Sequence, residues 1–128
     1  MEYSAFSRSG LVEQLEYEGF TTAQAEYGTD AQNADWNEQA ALSAASYLEY
    51  SAFSRSGLVE QLEYEGFTTA QAEYGTDAQN ADWNEQAALS AASYLEYSAF
   101  SRSGLVEQLK YEGFTTAQAE YGATAVGL

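Results

Sequence analysis

The side chains that could do chemistry in this chain are almost all carboxylates: 20 Asp and Glu stand against four Lys and Arg, with no histidine and no cysteine. Carboxylates can work in pairs as general acid and base or bind a hard cation, but without His and Cys the commonest proton carriers, nucleophiles and soft-metal ligands are missing. Glu13, Glu16 and Glu18 fall on the outward side or edge of one amphipathic helix, where a run of charge reads as a solvated face. Residues 30–38 gather oxygen ligands in a short span and invite a calcium reading. They fail the loop rule: with Asp30 in position one, Ala34 takes the fifth position and Asp35 the sixth, where an EF-hand needs an oxygen donor and a glycine. Helix capping accounts for Asp35 and Glu38 instead. The chemistry-bearing residues therefore predict no enzyme, no cofactor and no metal site.

What positions these residues is a repeat. The step from Glu2 to Glu49 is the same 47 residues as the step from Glu49 to Glu96, giving repeats at 2–48, 49–95 and 96–128, the last incomplete. The first two are identical at every position. The third follows them through Gly122 except that Lys110 stands where Glu16 and Glu63 stand. Natural repeats drift apart, so this identity points to an array built by copying one unit, a designed protein; a very recent gene duplication leaves the same trace.

Charge and composition narrow the function classes further. The formal net charge is −16, which alone would suit a disordered chain, but 45% hydrophobic residues and the regular recurrence of 11 Tyr, six Phe and two Trp argue for a packed core. Each complete repeat carries eight carboxylates and one arginine. DNA affinity rests on cations neutralising phosphates, so a nucleic-acid partner is excluded even for helix-turn-helix-like units. Arg8, Arg55 and Arg102 fall in first helical turns, where a cation opposes the helix dipole, and are expected to pair with nearby carboxylates. Residues 1–6 have neither the basic start nor the apolar run of a signal peptide, and no stretch approaches the roughly 18 apolar residues of a membrane span. The chain as written reads as soluble, with no membrane insertion.

One repeat reads as three helices. Ser7 caps a first helix through Glu18 with Leu11, Val12 and Leu15 on one face, and Gly19 stops it. Phe20 folds back onto the core, and Thr21 with Gln24 makes a capping box for a second helix. That helix either ends at Gly28 or runs on to Gln32, the longer span being favoured because an interior glycine costs about 1 kcal/mol without forbidding the helix. After a break at Asn33 and Ala34, Asp35 and Glu38 start a third helix from Trp36 to about Leu48, with a packing stripe of Trp36, Ala40, Ala44 and Tyr47 or Leu48. With no proline and a short link at 49–53, successive units must stack closely. Val126 and Leu128, in place of Gln32 and Ala34, mark an altered terminal cap. The expected fold is all-α: helix-turn-helix-like three-helix units in tandem, stacked as a short solenoid or compact array.

The stretches Ser7 to Thr21, SRSGLVEQLEYEGFT, and Ala34 to Ala40, ADWNEQA, together with the intervening AEYG, resemble the Ltp-type repeat of host-cell surface-exposed lipoproteins. Both stretches occur in order and at close spacing, and the match spans nearly the whole chain. The resemblance implies a helix-turn-helix-like repeat. It also implies superinfection exclusion, in which a lipoprotein anchored at the bacterial cell surface blocks injection of phage DNA by engaging the tape-measure protein. The sequence shows no lipid-bearing cysteine.

The resulting expectation is a non-catalytic helical scaffold, idealised from such a repeat. The alternative is a natural protein-binding module of a superinfection-exclusion lipoprotein. If a partner is bound, an acidic and aromatic face made by Glu13, Glu16 and Tyr17, by Glu60, Glu63 and Tyr64, and by Glu107 and Tyr111 is the candidate surface. A basic segment of a phage tape-measure protein is its candidate partner. Tyr17 lies roughly opposite Leu11 and Leu15, so it either packs on a neighbouring unit or presents an aromatic to a partner. Phe20 and Trp36 are expected in the core.

Overall fold

The computed structural model describes residues 5–128, among which there are eight helices and no strand: α1 Arg8–Tyr17, α2 Thr22–Ala31, α3 Trp36–Tyr50, α4 Arg55–Tyr64, α5 Thr69–Asp77, α6 Trp83–Tyr97, α7 Arg102–Tyr111 and α8 Thr116–Ala125. The expected start of the first repeat, at Glu2, lies outside the described residues. Each boundary has a local cause. Ser7 Oγ accepts the Gly10 amide at 2.9 Å and opens α1. At its end Gly19 adopts φ +107°, its amide reaching the Glu16 carbonyl at 3.0 Å and that of Phe20 reaching Leu15 at 3.2 Å, the paired bonds of a Schellman stop. Thr21 and Gln24 exchange the two bonds of a capping box. Helix α2 does continue through Gly28, and Asn33, at φ 52°, provides the left-handed turn after it. Asp82 Oδ1 accepts the amides of Asn84 and Glu85 and starts α6. The long helices run two residues past Leu48, since nothing breaks the helix before Ser51; in the next copy Ser98 is the first extended residue.

The chain divides into two compact units whose bounds do not follow those of the repeat. The first contains residues up to Tyr47 with Val59–Gln79, the second Leu48–Leu58 with Asn80–Leu128. In the first unit α1 packs on α2, and α3 crosses α5 so closely that a Cβ at Gly75 would lie 2.6 Å from the Ala40 backbone. Ala40, Ser43 and Ala44 form the buried stripe of α3. Gln79, in the turn after α5, donates to the Ala41 carbonyl at 2.8 Å, and Gln39 of α3 accepts the Phe6 amide at 3.3 Å. Helix α3 thus bonds the segment ahead of α1 and crosses the pair that follows it.

The second unit repeats the arrangement. Helices α6, α7 and α8 pack together around Ala87, Ala91, Leu105, Leu109, Phe114, Ala119 and Ala123. Tyr94 and Phe100 meet edge to face with ring centroids 5.7 Å apart, and Gln86 accepts the Phe53 amide at 3.0 Å. A Cβ at Gly122 would lie 2.8 Å from the Ala87 carbonyl oxygen. The altered terminus closes α8 with the same Schellman bonds as Gly19: Gly127 has φ +90°, its amide donates to Thr124, and the Leu128 amide donates to Ala123. Val126 packs against the core.

Two core expectations need correction. Phe20 is 51% exposed, whereas its counterparts Phe67 and Phe114 are each 4% exposed, because no described residue covers α1 and α2 on the face that α3 and α6 cover in the later pairs. Trp36 and Trp83 are only part-buried at the start of their helices, the closest packing being made by the small residues that follow. The hydroxyls of Thr29 and Thr76 are buried with no hydrogen-bond partner, and the third repeat carries Ala123 at that place.

Candidate functional site

The three short helices α1, α4 and α7 carry the face expected to meet a partner. Tyr17, Tyr64 and Tyr111 are 87%, 86% and 87% exposed, so the ring stands largely in water on each repeat. Glu13, Glu60 and Glu107 are exposed beside them, and Glu16 and Glu63 are half-buried at the helix end. Their exposure differs for a reason: Glu16 accepts the Thr22 hydroxyl and Glu63 that of Thr69, pinning the end of each short helix to the start of the next. The third repeat has Lys110 there, in the last turn of α7, where a cation suits the dipole. Among the described residues no group of three or more Asp and Glu could hold a metal ion, and no helix is long and apolar enough to cross a membrane.

A second arrangement went unseen in the sequence. Ser7 at the start of α1 donates to the Glu65 carbonyl at 2.7 Å and Ser9 donates to the Gly66 carbonyl at 3.2 Å. Ser54 and Ser56 do the same for Glu112 and Gly113 at 2.6 and 3.1 Å. One helix therefore begins where another ends, so the positive end of one dipole faces the negative end of the other and orphan carbonyls find donors. Gly66 is fixed twice over, by φ +104° and because a Cβ would lie 2.6 Å from Ser7 Oγ. The SRSG and EGF stretches are the two halves of this clasp. Ser7 was legible as a cap, but Ser9 and Ser56 bond to residues 57 positions away, and no local signal marks them.

The charged groups are mostly solvated. Arg8 binds Asp30 through two bonds of 2.8 and 3.0 Å, which raises the guanidinium pKa and lowers that of the carboxyl, as the dipole argument anticipated. Both side chains are exposed, so the pair adds little stability. In the third repeat Thr124 replaces the aspartate and accepts from Arg102 at 3.1 Å. Glu65 and Glu112, beside the clasp, have their pKa values raised by partial desolvation. Tyr47 donates to the Glu65 carboxylate and accepts from Gln61 at 3.2 Å, and Tyr94 accepts from Gln108 at 3.1 Å.

Eight helices among the described residues, three to each full 47-residue repeat and clasped serine to glycine turn, define a class: an all-α tandem-repeat protein. The sequence matches the Ltp family, described as host cell surface-exposed lipoprotein, in three segments, residues 1–31, 35–78 and 82–126, and the chain belongs to that family. The second and third segments begin at the long helix and end with the pair it crosses. No curated protein and no solved structure matches the chain.

Proposed function

We propose that the chain is a non-catalytic helical scaffold, an idealised array of the family's repeat made by copying one unit, which keeps one inherited capacity: binding a basic protein segment on its acidic, tyrosine-bearing face. The observation that carries this reading is the recurrence of Tyr17, Tyr64 and Tyr111 in water at the same place in every repeat, flanked by carboxylates. An exposed tyrosine is a costly surface choice, and it is the residue type that most often anchors interfaces. Catalysis has no support in a chain without His or Cys. The first two repeats each carry a net charge of −7, a field that speeds encounter with a cation-rich partner. The family membership favours a phage tape-measure segment as that partner, at the surface of a lipoprotein-bearing cell.

The test is calorimetric titration of a basic tape-measure fragment into the chain and into Glu13→Lys/Glu16→Lys/Glu60→Lys, with circular dichroism as folding control. Binding that weakens in the triple variant and falls with added salt supports the reading, because exposed charges are screened beyond roughly 8 Å at physiological ionic strength. Equal, salt-insensitive binding removes the acidic face from the account. Absence of binding to both leaves the scaffold alone, the reading that the identity of the first two repeats favours.

A further inference from the structure

From the difference between the first helix pair and its two copies we infer that α1 and α2 form an open seat able to accept, in trans, one more long helix with the pattern of α3. The surface is distinct from the outward tyrosine face. Helices α4 and α5 have the same sequence as α1 and α2 and have the seat filled by α3.

Five features of the filled seat have empty counterparts. Phe67 is 4% exposed and Phe20 is 51% exposed. Gly75 lies against Ala40, with room for no Cβ, whereas a Cβ at Gly28 would meet only Leu15 of its own pair at an ordinary 3.6 Å. An interior helical glycine is unfavourable unless another backbone must come close, and at Gly28 none does. Gln79 spans the Ala41 and Gly75 carbonyls, while exposed Gln32 bonds only to its own Gly28 at 3.3 Å. Gln61 and Glu65 both bond the Tyr47 hydroxyl, while Gln14 and Glu18 are left to bond each other at 3.4 Å. Tyr27 is 79% exposed against 53% and 49% for Tyr74 and Tyr121, and with Phe20 it borders an open hollow of about 470 Å³. The second unit supports the same reading, Gly122 touching Ala87 and Phe114 sharing a core with Ala87 and Ala91.

These contacts specify the occupant. It is a helix with an alanine at the crossing over Gly28 and a tyrosine seven residues on, two turns along the same face, to reach Gln14 and Glu18. A small residue at the crossing is required because the backbones approach too closely for a larger one. A carbonyl one residue after that alanine takes the Gln32 amide.

The test uses the full chain and a synthetic peptide of residues 34–53, titrated by calorimetry with sedimentation velocity on the chain alone. The expected result is saturable binding of one peptide per chain. Gly28→Leu, which improves helix propensity in the chain, should weaken binding about tenfold or more by closing the crossing. A peptide bearing Ala40→Leu should lose affinity similarly, and this variant leaves the folding of the chain untouched. Failure of the peptide to bind overturns the inference, as does equal binding to the Gly28→Leu chain. A chain that dimerises without peptide, and does so only while Gly28 is intact, would support the seat with a second copy's helix as its occupant.

Discussion

Helices α1 and α2 have the sequence of α4 and α5, yet one pair leaves its phenylalanine half in water and the other buries it. Leu15 is part-buried where Leu62 is fully buried, and Gly28 is part-exposed where Gly75 is closed over. Since composition, caps and helix lengths are nearly the same, local propensity cannot be the source of the difference. The source is α3, which crosses α5 and leaves no counterpart over α2. The pair is therefore a half-core, completed by a neighbour's long helix, as expected for units that cannot bury their apolar face alone.

A matched pair of truncations at the two phenylalanines should show the largest effect. Phe67→Ala should cost about 3–5 kcal/mol, as for a buried aromatic, and Phe20→Ala under about 1 kcal/mol. Urea unfolding of the two variants measures both, and equal losses would show that the crossing helix is not what distinguishes them. Glycine substitution should reverse sign between the same two places. Gly75→Ala forces a methyl into the Ala40 backbone and should cost about 1–3 kcal/mol, whereas Gly28→Ala should gain up to about 1 kcal/mol from helix propensity. Thermal melts read the opposite shifts. At the clasp, Ser54→Ala removes both a cap and the bond to Glu112 and should cost about 2 kcal/mol, against about 1 kcal/mol for exposed Ser101, which is a cap alone.

A smaller effect tests the clasp electrostatically. Glu65 has a folded pKa raised by desolvation, so ionising it is harder in the folded chain than in the unfolded one. Its neutral form contributes stability at low pH that is lost as pH rises through the folded value. Glu65→Gln should therefore stabilise the chain at pH 7 and lose that advantage below about pH 4, near the ordinary glutamate pKa. Urea midpoints at both pH values decide it; a gain that persists at low pH would mean the effect is not one of ionisation.

Much of the fold was legible because its signals are local. Gly19 before Phe20, the Thr21 and Gln24 box and Asp35 before Trp36 mark boundaries through bonds spanning a few residues, and the structure places the helices there. The continuation of α2 through Gly28 followed from weighing one glycine against the flanking helix formers. What stayed hidden depends on residues a full repeat away: the serine clasp, the glycine crossings of α3 and α6, and the exposure of Phe20. A hydrophobic pattern tells that Phe20 belongs against something apolar, but not whether a helix is there to receive it. At the candidate face, the helical wheel left open whether Tyr17 packs on a neighbouring unit, and it took the structure to show that all three copies are exposed.

Native-state hydrogen exchange tests most directly that a neighbouring long helix completes each pair, since α2 and α5 share one sequence through Asp30 and Asp77 and differ only in surroundings. Amides at the centre of α5 should exchange through near-global opening, while those of α2 should open locally and exchange about tenfold or more faster. Equal protection in α2 and α5 would contradict it.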